Sequence, residues 1–182
     1  MVLTARDISR IESLAAVAPE QALAVALDVT KEDQIQAALE AAIARFGPLD
    51  VVVNNAGYGL IGAIEECQPE QIRRCVETNF FGTLNVIRAV LPHLRTQRSG
   101  HIVNISAAAA ISNYAGFGVY GAAKAAVEAL SESLRAETAP SASGSPSWNP
   151  ALSAPTSSGV PWSRFPNACP TMTGLLVNSP NS

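Results

Sequence analysis

Residues 47–57 have the sequence Gly-Pro-Leu-Asp-Val-Val-Val-Asn-Asn-Ala-Gly, which contains a helix stop, a buried strand and a turn in that order. Gly47 and Pro48 end the helical pattern before them, because proline cannot continue a helix and glycine is common just past a helix end. The apolar run 51–53 predicts a buried strand. Asparagine side chains hold irregular turns through backbone hydrogen bonds, and Gly57 permits a close approach of the chain.

Helical and extended patterns alternate on both sides of this segment. Extended runs are predicted at 2–4, 22–27 and 101–105, and helices at 7–18, 30–46, 69–98 and 120–137. Thr30 is the predicted N-cap of a helix with an apolar face formed by Ile35, Leu39, Ile43 and Phe46. Strands that alternate with helices predict a doubly wound parallel sheet with helices on both faces, a Rossmann-like α/β fold.

Composition excludes several classes of function. The chain has 182 residues, 48% of them apolar, and a net charge of −3, so neither nucleic acid nor an anionic membrane is an expected partner. No apolar run reaches the roughly 20 residues that span a bilayer. Cysteines 67, 75 and 169 lack metal or redox spacing. We therefore expect a soluble, cytoplasmic protein without a metal site that acts on a small molecule.

The composition changes at Pro140, which divides the chain into a domain at 1–140 and a tail at 141–182. The tail contains ten Ser, seven Pro and three Gly, and Arg164 is its one charged residue. Neither the two-residue nor the 3.6-residue period occurs there. Such a segment buries little apolar surface against its ordering entropy, so we expect it to be mostly disordered.

Tyr120 and Lys124 are four residues apart in the predicted helix 120–137, so they share one helix face. A lysine ammonium beside a phenol favours the phenolate and lowers the tyrosine pKa from about 10. This gives a proton donor and acceptor usable near neutral pH, which carbonyl reduction or alcohol oxidation requires. Alone the pair is a weak signal, because an exposed helical pair without function has the same spacing.

Three further segments accompany this pair: Asn54-Asn55-Ala56-Gly57, Thr78-Asn79-Phe80-Phe81-Gly82 and Gly100-His101-Ile102-Val103-Asn104-Ile105-Ser106. In order and spacing they resemble motifs of the short-chain dehydrogenase/reductase family, from about Val2 to Pro140. The resemblance implies an NAD(P)-dependent oxidoreductase that interconverts an alcohol and a carbonyl compound. It also implies a homo-oligomer that pairs through the helical regions 70–98 and 120–137.

The resemblance assigns catalytic roles residue by residue. Tyr120 would be the general acid/base, Lys124 would lower its pKa and bind the nicotinamide ribose, and Asn79 would hold a water in the proton relay. The family's catalytic serine falls on Ala107, which can neither polarise nor orient a carbonyl oxygen. Ser106, one residue earlier, would replace it only if the loop shifts, because adjacent residues of an extended chain face opposite sides.

The cofactor residues implied by the resemblance follow the strands. Asp28 would meet the adenine ring, and Asn55 would lie along the adenosine. Arg6 takes the position of the basic residue that binds the 2′-phosphate of NADP, and Ala5 replaces the acid typical of NAD-preferring members, so NADP is favoured over NAD. The alternative for Arg6 is a solvated surface charge.

Glycines 57, 59 and 62 match the dinucleotide pattern G-x-G-x-x-G, and they do follow a strand. A dinucleotide-binding loop opens a helix that leads to a second strand with an acidic residue about 20 residues on, whereas here Pro69 and a long helix follow. We therefore interpret these glycines as a loop near the substrate.

The sequence lacks two parts of the family's pattern. The first strand and its glycine-rich phosphate loop do not occur before Val2, so the fold is expected to be incomplete and truncated at the N-terminus. The strand expected after Pro140 is also missing. The first functional hypothesis is an active oxidoreductase, and the alternative is a catalytically inactive remnant that only associates with intact relatives.

The tail has a specific hypothetical origin. If residues 141–157 are back-translated and read from the third base, they give Gly-Ile-Arg-Val-Thr-Leu-Val-Glu-Pro-Gly, the sequence the family has at this point. We predict that the coding DNA restores this strand through a change of one or two bases near codons 138–142. DNA in which no such change restores the strand would refute an out-of-frame tail.

Overall fold

A computed structural model describes residues 1–138 and the backbone of segments 151–156 and 173–177. Strands and helices alternate along it, which confirms the predicted α/β fold. The elements are β1 (Val2–Ala5), α1 (Ser9–Ala15), β2 (Leu23–Ala26), α2 (Glu32–Phe46), β3 (Val51–Asn54), α3 (Pro69–Val76), a π-helical turn (Glu77–Phe81), α4 (Gly82–Gln97), β4 (His101–Ala107), α5 (Ala108–Ile111), α6 (Gly118–Thr138), β5 (Ala151–Thr156) and β6 (Thr173–Val177).

The described strands form one sheet in the order β2-β1-β6-β3-β4-β5. The pairs β1–β2, β3–β4 and β4–β5 are parallel, as the alternation of strands and helices predicts. Strand β6 lies between β1 and β3 and is antiparallel to both. The sheet therefore differs from the predicted all-parallel arrangement at this one described strand.

The predicted tail at 141–182 is described only in β5 and β6, and both segments are strands of the sheet. Sequence periodicity gives no sign of either strand. Backbone pairing defines them instead: β5 pairs with β4, and β6 pairs with β1 and β3. The rest of the tail, and the boundary expected at residue 140, lie outside the described residues.

The sequence predicts one helix over 69–98, and the structure divides it. The π-helical turn Glu77–Phe81 separates α3 from α4 and contains Asn79. The side-chain nitrogen of Asn79 donates hydrogen bonds to the carbonyl oxygens of Cys75 and Tyr58, both at 2.9 Å. Such turns are frequent at functional sites, and here the turn directs a buried amide toward the loop that follows β3.

The predicted N-cap at Thr30 is wrong. Lys31 holds the N-cap position of α2 and makes no side-chain capping bond. Thr30 instead donates from its backbone nitrogen and its hydroxyl to one carboxylate oxygen of Asp28, at 3.0 and 2.8 Å. The threonine therefore stabilises the turn after β2 rather than the helix end.

A chain of buried hydrogen bonds joins β3, β4 and α6. The Asn54 amide donates to the Asn104 side-chain oxygen at 2.8 Å, and the Asn104 amide donates to the Ser131 hydroxyl at 2.7 Å. The Ser131 hydroxyl completes the chain by donating to the carbonyl of Val127 at 2.7 Å. Around it lies an apolar core that includes Val2, Leu49, Val52, Leu94, Ile102 and Leu134.

We predict that Ser131→Ala lowers the free energy of unfolding by about 1–3 kcal/mol, because it leaves the buried Asn104 amide without its acceptor. Ser133→Ala is the matched control on the same helix, where an exposed hydroxyl donates to Glu137 at 3.0 Å. Its cost is expected within about 0.5 kcal/mol. Urea unfolding of both variants measures the difference, and equal losses would contradict the role of the buried chain.

Candidate active site

Helix α6 carries Tyr120 and Lys124 on one face, as their spacing predicts. Lys124 is only 4% exposed, and its Nζ donates to the carbonyl oxygen of Ile105 in β4 at 2.8 Å. The same nitrogen lies 6.0 Å from the centre of the Tyr120 ring. The hydrogen bond therefore fixes a cation beside the phenol at the end of β4.

Burial changes the proton affinity of Lys124. Desolvation lowers the pKa of its ammonium from 10.5 to about 8, and the nearby Cys75 acts in the opposite direction. Burial also raises the pKa of the Cys75 thiol, which is fully enclosed. The lysine is therefore a group that exchanges its proton close to neutral pH.

Asn79 reaches the same place from the π-helical turn. Its side chain is fully buried, and its Oδ1 has no hydrogen-bond partner among the described residues. Gly57 packs directly against it, because a Cβ at that position would collide with Asn79 Oδ1 and lie 3.4 Å from Lys124 Nζ. The loop after β3 thus needs glycine here, because Asn79 and Lys124 both lie close to the position that a Cβ of Gly57 would occupy.

Ser106 and Ala107 both lie in β4, which pairs with β5 without a shift of register through Ala107. Ser106 is 1% exposed, and the alternation of the strand directs it to the same face as Asn104, toward α6. The loop shift that Ser106 needs to replace the family's serine does not occur in the described backbone. Ala107 is the last residue of the strand.

A separate cleft of about 480 Å³ opens beyond the carboxyl ends of β1 and β2. In open α/β sheets, ligands bind at these ends of the strands. Arg6 and Asp28 both line this cleft, whereas Asn55 is half-buried after β3 and is not part of its wall. Its lining residues are Arg6, Asp28, Thr30, Tyr58, Leu60, Gln71, Arg74, Glu77 and Thr78.

Three residues of these sites escape the sequence analysis: Tyr58, Arg74 and Cys75. Burial, and then Cys75, raise the pKa of the Tyr58 phenol, while the guanidinium groups of Arg74 and Arg6 act to lower it. Cys75 also lies 3.5 Å from the Asn79 amide, one helical turn away. The four-residue spacing of Cys75 and Asn79 is the one sequence signal that could have identified any of them.

Among residues 1–138 and the two tail strands, no group of three or more His, Cys, Asp or Glu side chains could hold a metal ion. No helix within those residues is both long and apolar enough to cross a membrane.

The sheet, the helices and the cleft define an α/β protein of the Rossmann type, and comparison with known proteins narrows this class. A family model described as short chain dehydrogenase matches residues 1–142. An uncharacterized oxidoreductase of Staphylococcus epidermidis is 38% identical over 139 residues, which cover 76% of this chain and 60% of the relative.

Solved structures agree with this result. A short-chain dehydrogenase from Streptomyces avermitilis superposes with a TM-score of 0.72 at 41% identity, over 75% of this chain and 51% of that one. ElxO with NADP bound gives a TM-score of 0.70 at 29% identity, over 75% of this chain and 56% of that one. The chain therefore belongs to the short-chain dehydrogenase family, and it spans between half and about 60% of the length of these relatives.

We predict that the Lys124 ammonium loses its proton with a midpoint near pH 8. Lys31 and Lys124 are the lysines of this chain, so NMR of ¹³C-labelled lysine resolves the titration, with the exposed Lys31 as internal reference. In the unfolded chain Lys124 keeps its proton up to about pH 10.5, whereas in the folded chain it loses the proton near pH 8. The contribution of this group to the free energy of unfolding therefore rises between pH 8 and 10.5. A Lys124 midpoint near 10.5 would show that the side chain is not buried.

Proposed function

We propose that this protein is an NADP-dependent oxidoreductase that interconverts an alcohol and a carbonyl compound. The observation that carries the proposal is the buried Lys124 Nζ, which is tied to the Ile105 carbonyl and lies 6.0 Å from the Tyr120 ring. A fixed cation beside a phenol is an arrangement suited to proton transfer.

Tyr120 acts as the general acid/base in this proposal. Its hydroxyl gives a proton to the carbonyl oxygen of the substrate during reduction and takes one from the alcohol during oxidation. The Lys124 ammonium stabilises the phenolate that remains after reduction. As the pH rises through about 8 this ammonium is lost, so its support of Tyr120 is lost as well.

Asn79 supplies the next step of the proton path. Its buried Oδ1 has no hydrogen-bond partner among the described residues and packs against Gly57 next to Lys124. A buried acceptor of this kind is suited to a bound water, which needs between two and four polar partners. We propose that this water relays a proton between Lys124 and the solvent outside the site.

The cleft at β1 and β2 fits the adenosine end of a nicotinamide cofactor. Such a cofactor, when bound, supplies or accepts the hydride. The guanidinium of Arg6 is suited to the 2′-phosphate of NADP through charge-assisted hydrogen bonds, and Ala5 has no carboxylate to repel it. Asp28, held by Thr30, faces the same cleft, and NADP is bound to the related protein ElxO.

Ala107 favours a second candidate function, a non-catalytic family member that associates with intact relatives. Where the family has a serine, Ala107 offers a methyl group that can neither donate to nor orient a carbonyl oxygen. Two measurements distinguish the two functions: the binding of NADPH, and the change in reduction rate when the Tyr120 hydroxyl is removed.

We predict that Tyr120→Phe lowers the rate of NADPH-dependent carbonyl reduction by about 100-fold or more, because the proton donor is lost. The variant should bind NADPH as the unmodified chain does, in the micromolar range and more tightly than NADH. Titration of NADPH fluorescence measures binding, and the decay of NADPH absorbance with small aldehydes and ketones measures turnover.

Ser133→Ala is the matched control, because it also removes one hydroxyl from α6, at an exposed position outside the candidate site where that hydroxyl donates to Glu137 at 3.0 Å. It should leave both binding and rate unchanged. Equal rates for Tyr120→Phe and the unmodified chain contradict the role of Tyr120. A chain that shows neither saturable NADPH binding nor turnover supports the non-catalytic function instead.

A further inference from the structure

An aromatic ladder leads from the candidate active site to the surface. The ring centres of Tyr120 and Phe117 lie 6.3 Å apart, and those of Phe117 and Tyr114 lie 6.5 Å apart, each pair edge to face. Tyr120 and Phe117 are half-buried, and Tyr114 is 61% exposed. The inner end of the ladder lies beside the Lys124 ammonium, and its outer end reaches the surface.

The loop after β3 adds a second row of apolar side chains. Its Gly62 nitrogen donates to the Gly116 carbonyl at 2.9 Å, which joins it to the segment that carries the ladder. Ile64 lies 3.3 Å from where a Cβ of Gly118 would be, and Ile61 lies 3.7 Å from that of Gly116. These isoleucines are nevertheless 71% and 60% exposed.

We call the set Ile61, Ile64, Tyr114, Phe117 and Tyr120 the apolar strip. The segments that form it, residues 57–64 and 108–123, contain no Asp, Glu, Lys, Arg or His. The adjacent Glu66 accepts a hydrogen bond from the Ala63 nitrogen at 3.4 Å, so the nearest charge in this loop is acidic, and the strip lacks the cations that Arg6 and Arg74 give the cleft. Contiguous exposed apolar side chains beside a site are typical of a binding groove.

We propose that the apolar strip binds the alkyl tail of the substrate, and that the substrate is an uncharged alcohol or carbonyl compound with a long apolar chain. The identity of its polar end rests on the proposed function, because that end would lie at Tyr120. We infer this ligand because the strip is continuous with the candidate active site at Tyr120. A ligand that reaches Tyr120 along the ladder covers Phe117, Tyr114 and the two isoleucines. Binding removes apolar surface of these side chains and of the alkyl tail from water, so each methylene added to the tail increases the affinity.

The test uses the full chain with ¹³C-labelled isoleucine methyl groups and three probes, 1-butanol, 1-hexanol and 1-octanol. We expect affinity to increase about threefold per added methylene. The shift changes should centre on the methyl groups of Ile61 and Ile64, while the buried Ile87 and Ile102 serve as internal references. Equal affinities for the three alcohols would overturn the proposal.

A pair of variants assigns the effect to the strip. Ile61→Ser with Ile64→Ser should remove most of the dependence on chain length, with an otherwise unchanged amide spectrum. Val17→Ser is the control, because Val17 is 83% exposed between α1 and β2, outside the strip. The proposal fails if Val17→Ser weakens octanol binding as strongly as the double variant does.

Two further outcomes are separable. Shifts of Ile61 and Ile64 that depend on protein concentration and not on alcohol identify a second copy of the chain as the occupant, which overturns the proposal. Alcohol binding needs no cofactor, so the substrate class and the proposed function are tested independently. Binding that depends on chain length without NADPH binding refutes only the proposed function, and the reverse result refutes only the substrate class.

Discussion

The buried hydrogen bonds among Asn54, Asn104 and Ser131 hold β3, β4 and α6 in one arrangement. A buried amide needs partners for its donor and its acceptor, and a missing partner costs about 1–3 kcal/mol. The observed register satisfies the pair, because it sets Asn54 opposite Asn104. A slip of one residue between the two strands would put the two amides on opposite faces of the sheet. The active-site geometry depends on this constraint, since Lys124 reaches Ile105 from the same helix face that carries Ser131.

Close packing around Gly57 is the second feature on which the geometry of the candidate site depends. The π-helical turn directs Asn79 at this glycine, and Lys124 Nζ lies close to the same point. The protein thereby keeps an amide oxygen without a described partner and a lysine whose pKa is lowered by burial. Such groups cost stability, and they are concentrated where a protein binds ligands or moves protons. Tyr120 stands at the edge of this cluster, between the interior and the apolar strip.

The two sides of the site differ in charge. Beyond β1 and β2 the cleft wall carries Arg6, Asp28, Arg74 and Glu77, whereas the segments of the apolar strip carry no charged residue. This division is the basis for the proposed charged cofactor on one side and the proposed uncharged substrate on the other. The arrangement arises because strand ends and loops from distant parts of the chain converge at one edge of the sheet.

The sequence by itself determined the local features of this protein. Periodicity located the four strands and four helical regions of residues 1–138 but not α5, and the four-residue spacing of Tyr120 and Lys124 placed them on one helix face, because a helix repeats every 3.6 residues. Motif order identified the family. Only the tertiary structure decided the rest: the π-helical turn, the antiparallel β6 between β1 and β3, and the neighbours of Arg6 and Asn79. Each of these depends on contacts between residues distant in sequence, such as the bond from Asn79 to Tyr58 across 21 positions, which no local pattern encodes.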